Sequence, residues 1–262
     1  MLQYPNIDPI IFSLGPLHFR WYGLAYVCGL LLPLIFFKKS FTEKLKLDSD
    51  QQSNYLIWVM LGVVLGGRIG YIFFYNFSYY IENLNELFYF WKGGMSFHGG
   101  AIGALSATWL FCKKYKINAR QFSDVLVIGT PIGLGLGRVA NFINGELYGR
   151  VTTSPLGMVF PGGGDLPRHP SQLYEAFFEG LVLFLILWGV RKTGKLQDGQ
   201  LMALFCMTYA SFRFCIEYFR EPDAHLGFIV ATFSMGHLLS IFMFCVGLFF
   251  FICFRHRSST SN

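Results

Sequence analysis

Three arginines stand in stretches that are otherwise apolar: Arg68 behind Gly66 and Gly67, Arg138 behind Gly137, and Arg213 between Phe212 and Phe214. A guanidinium near the middle of a bilayer costs at least about 2.5 to 3.5 kcal/mol, so each is a functional candidate. For any one alone, a structural ion pair or a side chain snorkelling to the surface weighs equally. Around Arg213 the spacing adds information. Arg213, Glu217 and Arg220 fall at i, i+4 and i+7 and share one helical face, with Tyr209 a turn earlier. One carboxylate between two guanidiniums leaves a positive surplus, and planar bidentate donors in a low-dielectric setting suit an oxyanion such as a lipid phosphate. The alternative is an interhelical pair with Asp124 or Glu146.

The stretch from Gly137 to Arg150, GRVANFINGELYGR, is denser still. Arg138 and Asn141 share a face at i and i+3, Glu146 follows, and Gly145 and Gly149 let the backbone turn and approach a ligand. Asn144 and Gly145 can equally serve only to cap a helix. In GGMSFHGG, residues 93 to 100, glycines bracket His98, which suggests re-entrant or closely packed backbone around an imidazole able to take a proton near neutral pH. Tyr22, in Arg20-Trp21-Tyr22-Gly23, stands either in a site or in an interfacial aromatic belt. His18, His169, His225, His237 and His256 lack comparable settings and are read as structural or solvated. Cys28, Cys112, Cys206, Cys215, Cys245 and Cys253 show no metal-ligand spacing and read as small buried hydrophobes. No nucleotide loop or internal repeat accompanies them.

The elements that must position these residues are membrane spans. Apolar residues make up 53% of the 262-residue chain and charged residues 14%, and the mean hydropathy is +0.45; a soluble chain of this size needs more polar surface. The expected fold is all-α and polytopic, a single membrane-embedded catalytic domain over 1–262. Its seven spans cover about 19 to 37, 55 to 75, 95 to 112, 122 to 143, 173 to 190, 200 to 219 and 229 to 254. Small outer loops fall at about 76–94 and 144–172, with a third around 220 to 228. Basic residues collect in alternate loops: Lys38, Lys39, Lys44 and Lys46; Lys113, Lys114, Lys116 and Arg120; Arg191, Lys192 and Lys195; Arg255 and Arg257. Those loops are expected in the cytoplasm, with the N-terminus outside and the C-terminus inside. Met1 to Gly15 has no basic leader, so a cleaved signal peptide is not expected. The net charge of +6 suits loops beside anionic headgroups and requires no nucleic acid.

Six motifs in order resemble the prolipoprotein diacylglyceryl transferase family: RWYG at 20 to 23, GGRIGY at 66 to 71, GGMSFHGG, GRVANFINGELYGR, RHPSQLYE at 168 to 175, and FRxxxEYFREPD from Phe212 to Asp223. The resemblance spans nearly the whole chain, and departs mainly in a shorter outer loop from Val151 to Arg168. It implies a bacterial inner-membrane enzyme, active toward the outer, periplasmic leaflet. Such an enzyme moves the diacylglyceryl group of phosphatidylglycerol to the lipobox cysteine thiol of a preprolipoprotein and releases glycerol phosphate, with no metal or cofactor. By position, the family's important residues fall on Tyr22, His98, Arg138, Asn141, Glu146, Gly149, Arg213, Glu217 and Arg220. His98, Arg138 and Arg213 are then the catalytic candidates, and the others, with both arginines, bind substrate. His98 is the expected base for the thiol, although arginines alone could stabilise the thiolate. Two other classes remain. A lipid or anion transporter should show two related halves of broken helices, and an intramembrane protease needs a nucleophile motif that Ser96, Ser106 and Ser211 lack.

Overall fold

The computed structural model describes residues 2–15, 17–36, 38–89, 94–221, 228–230 and 233–259. Gly93, Asp223 and His225 therefore lie outside the described residues. The chain divides into two compact units, Lys39–Phe122 and the remainder.

After the short helix α2 (Lys38–Glu43), helices α3 (Ser49–Tyr75) and α5 (Phe97–Tyr115) of the unit Lys39–Phe122 pack along their length. Asp48 begins α3 through a capping box with Gln51, and Ser96 begins α5 by accepting from the Gly99 amide at 3.2 Å. Glycine decides how closely the helices approach. A Cβ on Gly62, Gly66, Gly70, Gly99 or Gly103 would strike the facing backbone, so Gly66 and Gly70 of GGRIGY and Gly99 of GGMSFHGG act here in a packing seam. Arg68 is structural. Buried at 2% exposure, it donates to the carbonyls of Glu86 (2.7 Å), Leu87 (3.1 Å) and Gly94 (3.3 Å) and lies 5.0 Å from the Tyr80 ring centre. It thereby ties down the segment after α3, which carries α4 (Phe77–Glu82) and a 3-10 turn at Leu84–Phe88.

The other unit holds α1 (Trp21–Phe36), α6 (Ala119–Ile143) from Ser123 onward, an apolar helix over Ser171–Lys192, α9 (Gln200–Glu217) and α10 (Met235–Ser259). The helix over Ser171–Lys192 comprises α7 (Ser171–Glu175), a π-helical segment (Ala176–Val182) and α8 (Leu183–Lys192). Glycine again sets the crossings. Gly29 of α1 faces Gly133 of α6, and a Cβ on Gly180 would lie 2.8 Å from the Gly135 Cα. Asp124 caps α9 from a distance, accepting from Gly199 N at 2.7 Å and Met202 N at 2.9 Å; it is a helix cap at the far end of α9 from Arg213. Helix α10 returns antiparallel to α9, with Gln200 Nε2 donating to Phe251 O at 3.0 Å.

Each expected span carries a helix, and four helices are long and apolar enough to cross a membrane: Ser49–Tyr75, Ala119–Ile143, Ser171–Lys192 and Met235–Arg255. The strictly all-α expectation is corrected. An antiparallel hairpin, β1 (Ile10–Leu14) with β2 (Leu17–Arg20), precedes α1, and β3 (Phe228–Val230) pairs with β4 (Phe233–Ser234) before α10. Gly15 at φ +58 makes the first turn, and branched and aromatic residues flank it, so local strand preference overrides hydropathy at residues 19 and 20.

Candidate active site

The glycine crossing of α6 on the helix from Ser171 sets Arg138 against Glu175. Glu175 is fully buried and gathers three guanidiniums: Arg138 Nε lies 2.6 Å from Oε2, while Arg213 Nη1 and Arg220 Nη1 each lie 3.2 Å from Oε1. Arg213 Nη2 is also 2.7 Å from Glu217 Oε2, the i,i+4 pair anticipated on α9. Glu179, one turn beyond Glu175 in the π-helical segment, is buried within electrostatic reach of the same arginines. Neither of its oxygens has a hydrogen-bond partner among the described residues.

The neighbouring helix adds an acid that spacing on α9 did not show. Arg213 and Arg220 exceed Glu217 on α9, and Glu175 joins them with Arg138, so three arginines meet two carboxylates, with Glu179 buried nearby and outside the ion pairs. What remains for a ligand is unused donor capacity. The arginine side chains are 20%, 16% and 14% exposed at 138, 213 and 220, and Arg138 faces Glu175 through Nε. Neither weighed interhelical acid fills the role taken by Glu175: Asp124 caps α9, and Glu146 belongs to a separate network.

That network closes the C-terminal end of α6. Asn141 Nδ2 and Asn144 Nδ2 donate to Glu146 Oε1 at 2.8 and 3.0 Å, and Gln172 Nε2 donates to the Glu146 carbonyl at 2.6 Å. Tyr4 donates to Phe142 O (2.7 Å) and Ile143 O (3.0 Å), satisfying two carbonyls that a helix end leaves open; burial pushes its phenol up. The chain then runs beside the end of α9: Gly149 N donates to His169 O at 2.8 Å, Arg150 N to Phe219 O at 2.9 Å, and Arg150 Nε to Arg220 O at 2.8 Å. Burial pushes the His169 ring below its ordinary value.

Gly149 acts through this packing, because a Cβ there would meet Phe219 O and His169. Gly149→Ala is expected to destabilise the protein by about 1 to 3 kcal/mol through overpacking. A heat-unfolding midpoint equal to that of the wild type would contradict the assignment.

The family model of prolipoprotein diacylglyceryl transferase matches residues 9–253. The chain belongs to this family. Its curated relatives include proteins named phosphatidylglycerol–prolipoprotein diacylglyceryl transferase from Geobacter sulfurreducens, 49% identical over 94% of this chain and 95% of the relative, and from Pseudoalteromonas translucida, 51% identical over 94% and 92%. The protein of that name from Rickettsia felis is 48% identical over 94% and 96%.

Of the residues that the family resemblance marks, the fold joins Arg138, Arg213, Glu217 and Arg220 around Glu175, and links Asn141 to Glu146. Tyr22 is half-buried in the first turn of α1, and the ion pairs around Glu175 are made without it. His98 is exposed on the first turn of α5, in the other compact unit. Sequence reasoning missed Glu175 as a site residue, although it closes RHPSQLYE, and did not single out Glu179. Two carboxylates at i and i+4 inside an apolar span were the available signal, by the same cost that singled out the arginines.

Proposed function

We propose that this chain transfers the diacylglyceryl group of phosphatidylglycerol to the lipobox cysteine thiol of a preprolipoprotein, forming a thioether and releasing glycerol phosphate. Family membership supports the reaction, and the three-arginine cluster around Glu175 is the observation that supports its site. The chemistry asks for such a cluster. A thiolate attacks the glycerol carbon, the S–C bond forms, the C–O bond breaks, and the electron pair leaves on the phosphate oxygen. A phosphodiester with one negative charge becomes a monoester with two, so stabilisation must grow along the reaction.

In this account Arg138 and Arg213 clamp the phosphate through their remaining donors. Glu175, Glu217 and Arg220 hold those guanidiniums in place. Asn141, Glu146 and Tyr22 bind the headgroup or position the peptide, and Gly149 keeps the outer loop close to α9. The assignment of His98 as thiol base rests on the family resemblance. His98→Ala is expected to reduce turnover by about a hundredfold if the imidazole takes the thiol proton, and a near-normal rate would leave thiolate formation to the arginines.

The whole chain is taken as one catalytic domain in the bacterial inner membrane, crossing it seven times, with the N-terminus periplasmic, the C-terminus cytoplasmic and the site toward the outer leaflet. The alternating basic loops support this orientation. The reaction is tested with purified protein in phosphatidylglycerol nanodiscs and a lipobox peptide: the cysteine peptide should gain the mass of one diacylglyceryl group and a serine-for-cysteine peptide none. Net lipid flux without peptide modification would instead favour a transporter.

A further inference from the structure

Ser234 stands just before α10, which opens with Met235, Gly236 and His237; Ser234 and Gly236 meet Glu217, and His237 meets Ser234. Ser234 N donates to His237 Nδ1 at 3.2 Å, which is half of a capping box with histidine as the third-position acceptor. The serine hydroxyl has a different partner. Its oxygen lies 2.6 Å from Glu217 Oε1, and since an ionised carboxylate only accepts, the single hydroxyl proton is donated to Glu217. Gly236 leaves room for this contact, because a Cβ there would meet Cδ and both oxygens of the Glu217 carboxylate.

His237 is fully buried, with its ring 4.9, 4.6 and 5.2 Å from those of Phe214, Tyr218 and Phe233. Because Nδ1 accepts from the Ser234 amide, the ring proton sits on Nε2, which has no hydrogen-bond partner among the described residues. In such an aromatic box an apolar side chain would avoid burying an unused N–H. The imidazole is explained by the face it turns to Ser234, with Nδ1 also 3.1 Å from the serine hydroxyl.

We propose that Ser234 and His237 are positioning residues for the transfer reaction: His237 fixes Ser234, Ser234 fixes Glu217, and Glu217, 2.7 Å from Arg213 Nη2, fixes the guanidinium that receives the lipid phosphate. This rests on the placement of the phosphate at Arg213. Sequence reading set His237 aside as structural, and the relay becomes visible only when α10 lies against the end of α9.

The test measures initial rates in phosphatidylglycerol nanodiscs with a lipobox peptide. Ser234→Ala and His237→Leu are expected to be slower by about tenfold, the scale of one buried hydrogen bond to a charged group. Ser234→Thr keeps a hydroxyl and His237→Gln keeps an acceptor, so each should recover most of the rate. Ser234→Ala combined with Glu217→Gln should be no slower than Glu217→Gln alone, because both changes break one chain of contacts. Rescue and non-additivity separate positioning from a general loss of fold. A wild-type rate in Ser234→Ala while Arg213→Gln is inactive overturns the relay alone, as do multiplicative losses in the double variant or folded Thr and Gln variants no faster than Ala and Leu. Full turnover in Arg213→Gln would overturn the phosphate placement and the relay together.

Discussion

Arg138→Gln is expected to lower the maximal rate of transfer by about a hundredfold to a thousandfold, the scale found when a donor to a developing oxyanion is removed. Arg138 faces Glu175 through Nε at 2.6 Å and its side chain is 20% exposed, so the guanidinium has an edge to offer a phosphate. Glutamine can hydrogen-bond but carries no charge, and the charge on the leaving group rises during the reaction. The loss should therefore appear in kcat at saturating phosphatidylglycerol as well as in kcat/KM. Arg138→Lys should recover little, because an ammonium cannot serve Glu175 and a phosphate with one planar fork. An unchanged kcat with a raised KM would mean that Arg138 binds the ground state only.

Glu175→Gln is expected to be the most destabilising single change in the cluster, costing about 3 to 5 kcal/mol, because it removes the anion from a buried ion-pair network. Three guanidiniums converge on that carboxylate at 2.6 to 3.2 Å. The amide nearly matches its shape but turns an N–H toward donors. The comparison is Glu146→Gln, where the donors to Oε1 are the neutral amides of Asn141 and Asn144; the expected loss there is about 1 kcal/mol, the scale of an ordinary hydrogen bond. Heat unfolding in the same detergent ranks the two. Equal midpoints would show that Glu175 does not hold the arginines together.

Hydropathy located the helices because twenty apolar residues in a row have few alternatives, and the boundaries moved only where local geometry outweighed it. Gly15 follows β1 in a hairpin whose second strand, β2, ends at Arg20, so α1 starts at Trp21. The arginine cluster was legible in part. Arg213, Glu217 and Arg220 share a face by periodicity, but which acid meets Arg213 depends on the Gly135–Gly180 crossing, a contact between distant segments that spacing does not encode. The same ignorance of partners made Arg68 look like Arg138: both follow glycine in an apolar span, yet Arg68 spends its donors on three loop carbonyls. The glycines around His98 suggested close backbone approach, and for Gly99 and Gly100 the partner is α3.

The central claim is that the arginine-held phosphate is the leaving group of a transfer to cysteine. The most direct measurement is the molar ratio of released glycerol phosphate to modified lipobox peptide, followed over time in phosphatidylglycerol nanodiscs. The account predicts a constant ratio of about one, with the lipid attached through a thioether that survives mild base after its ester-linked acyl chains are removed. Peptide modification without matching glycerol phosphate, or with an acyl chain joined directly to sulfur as a base-labile thioester, would contradict it.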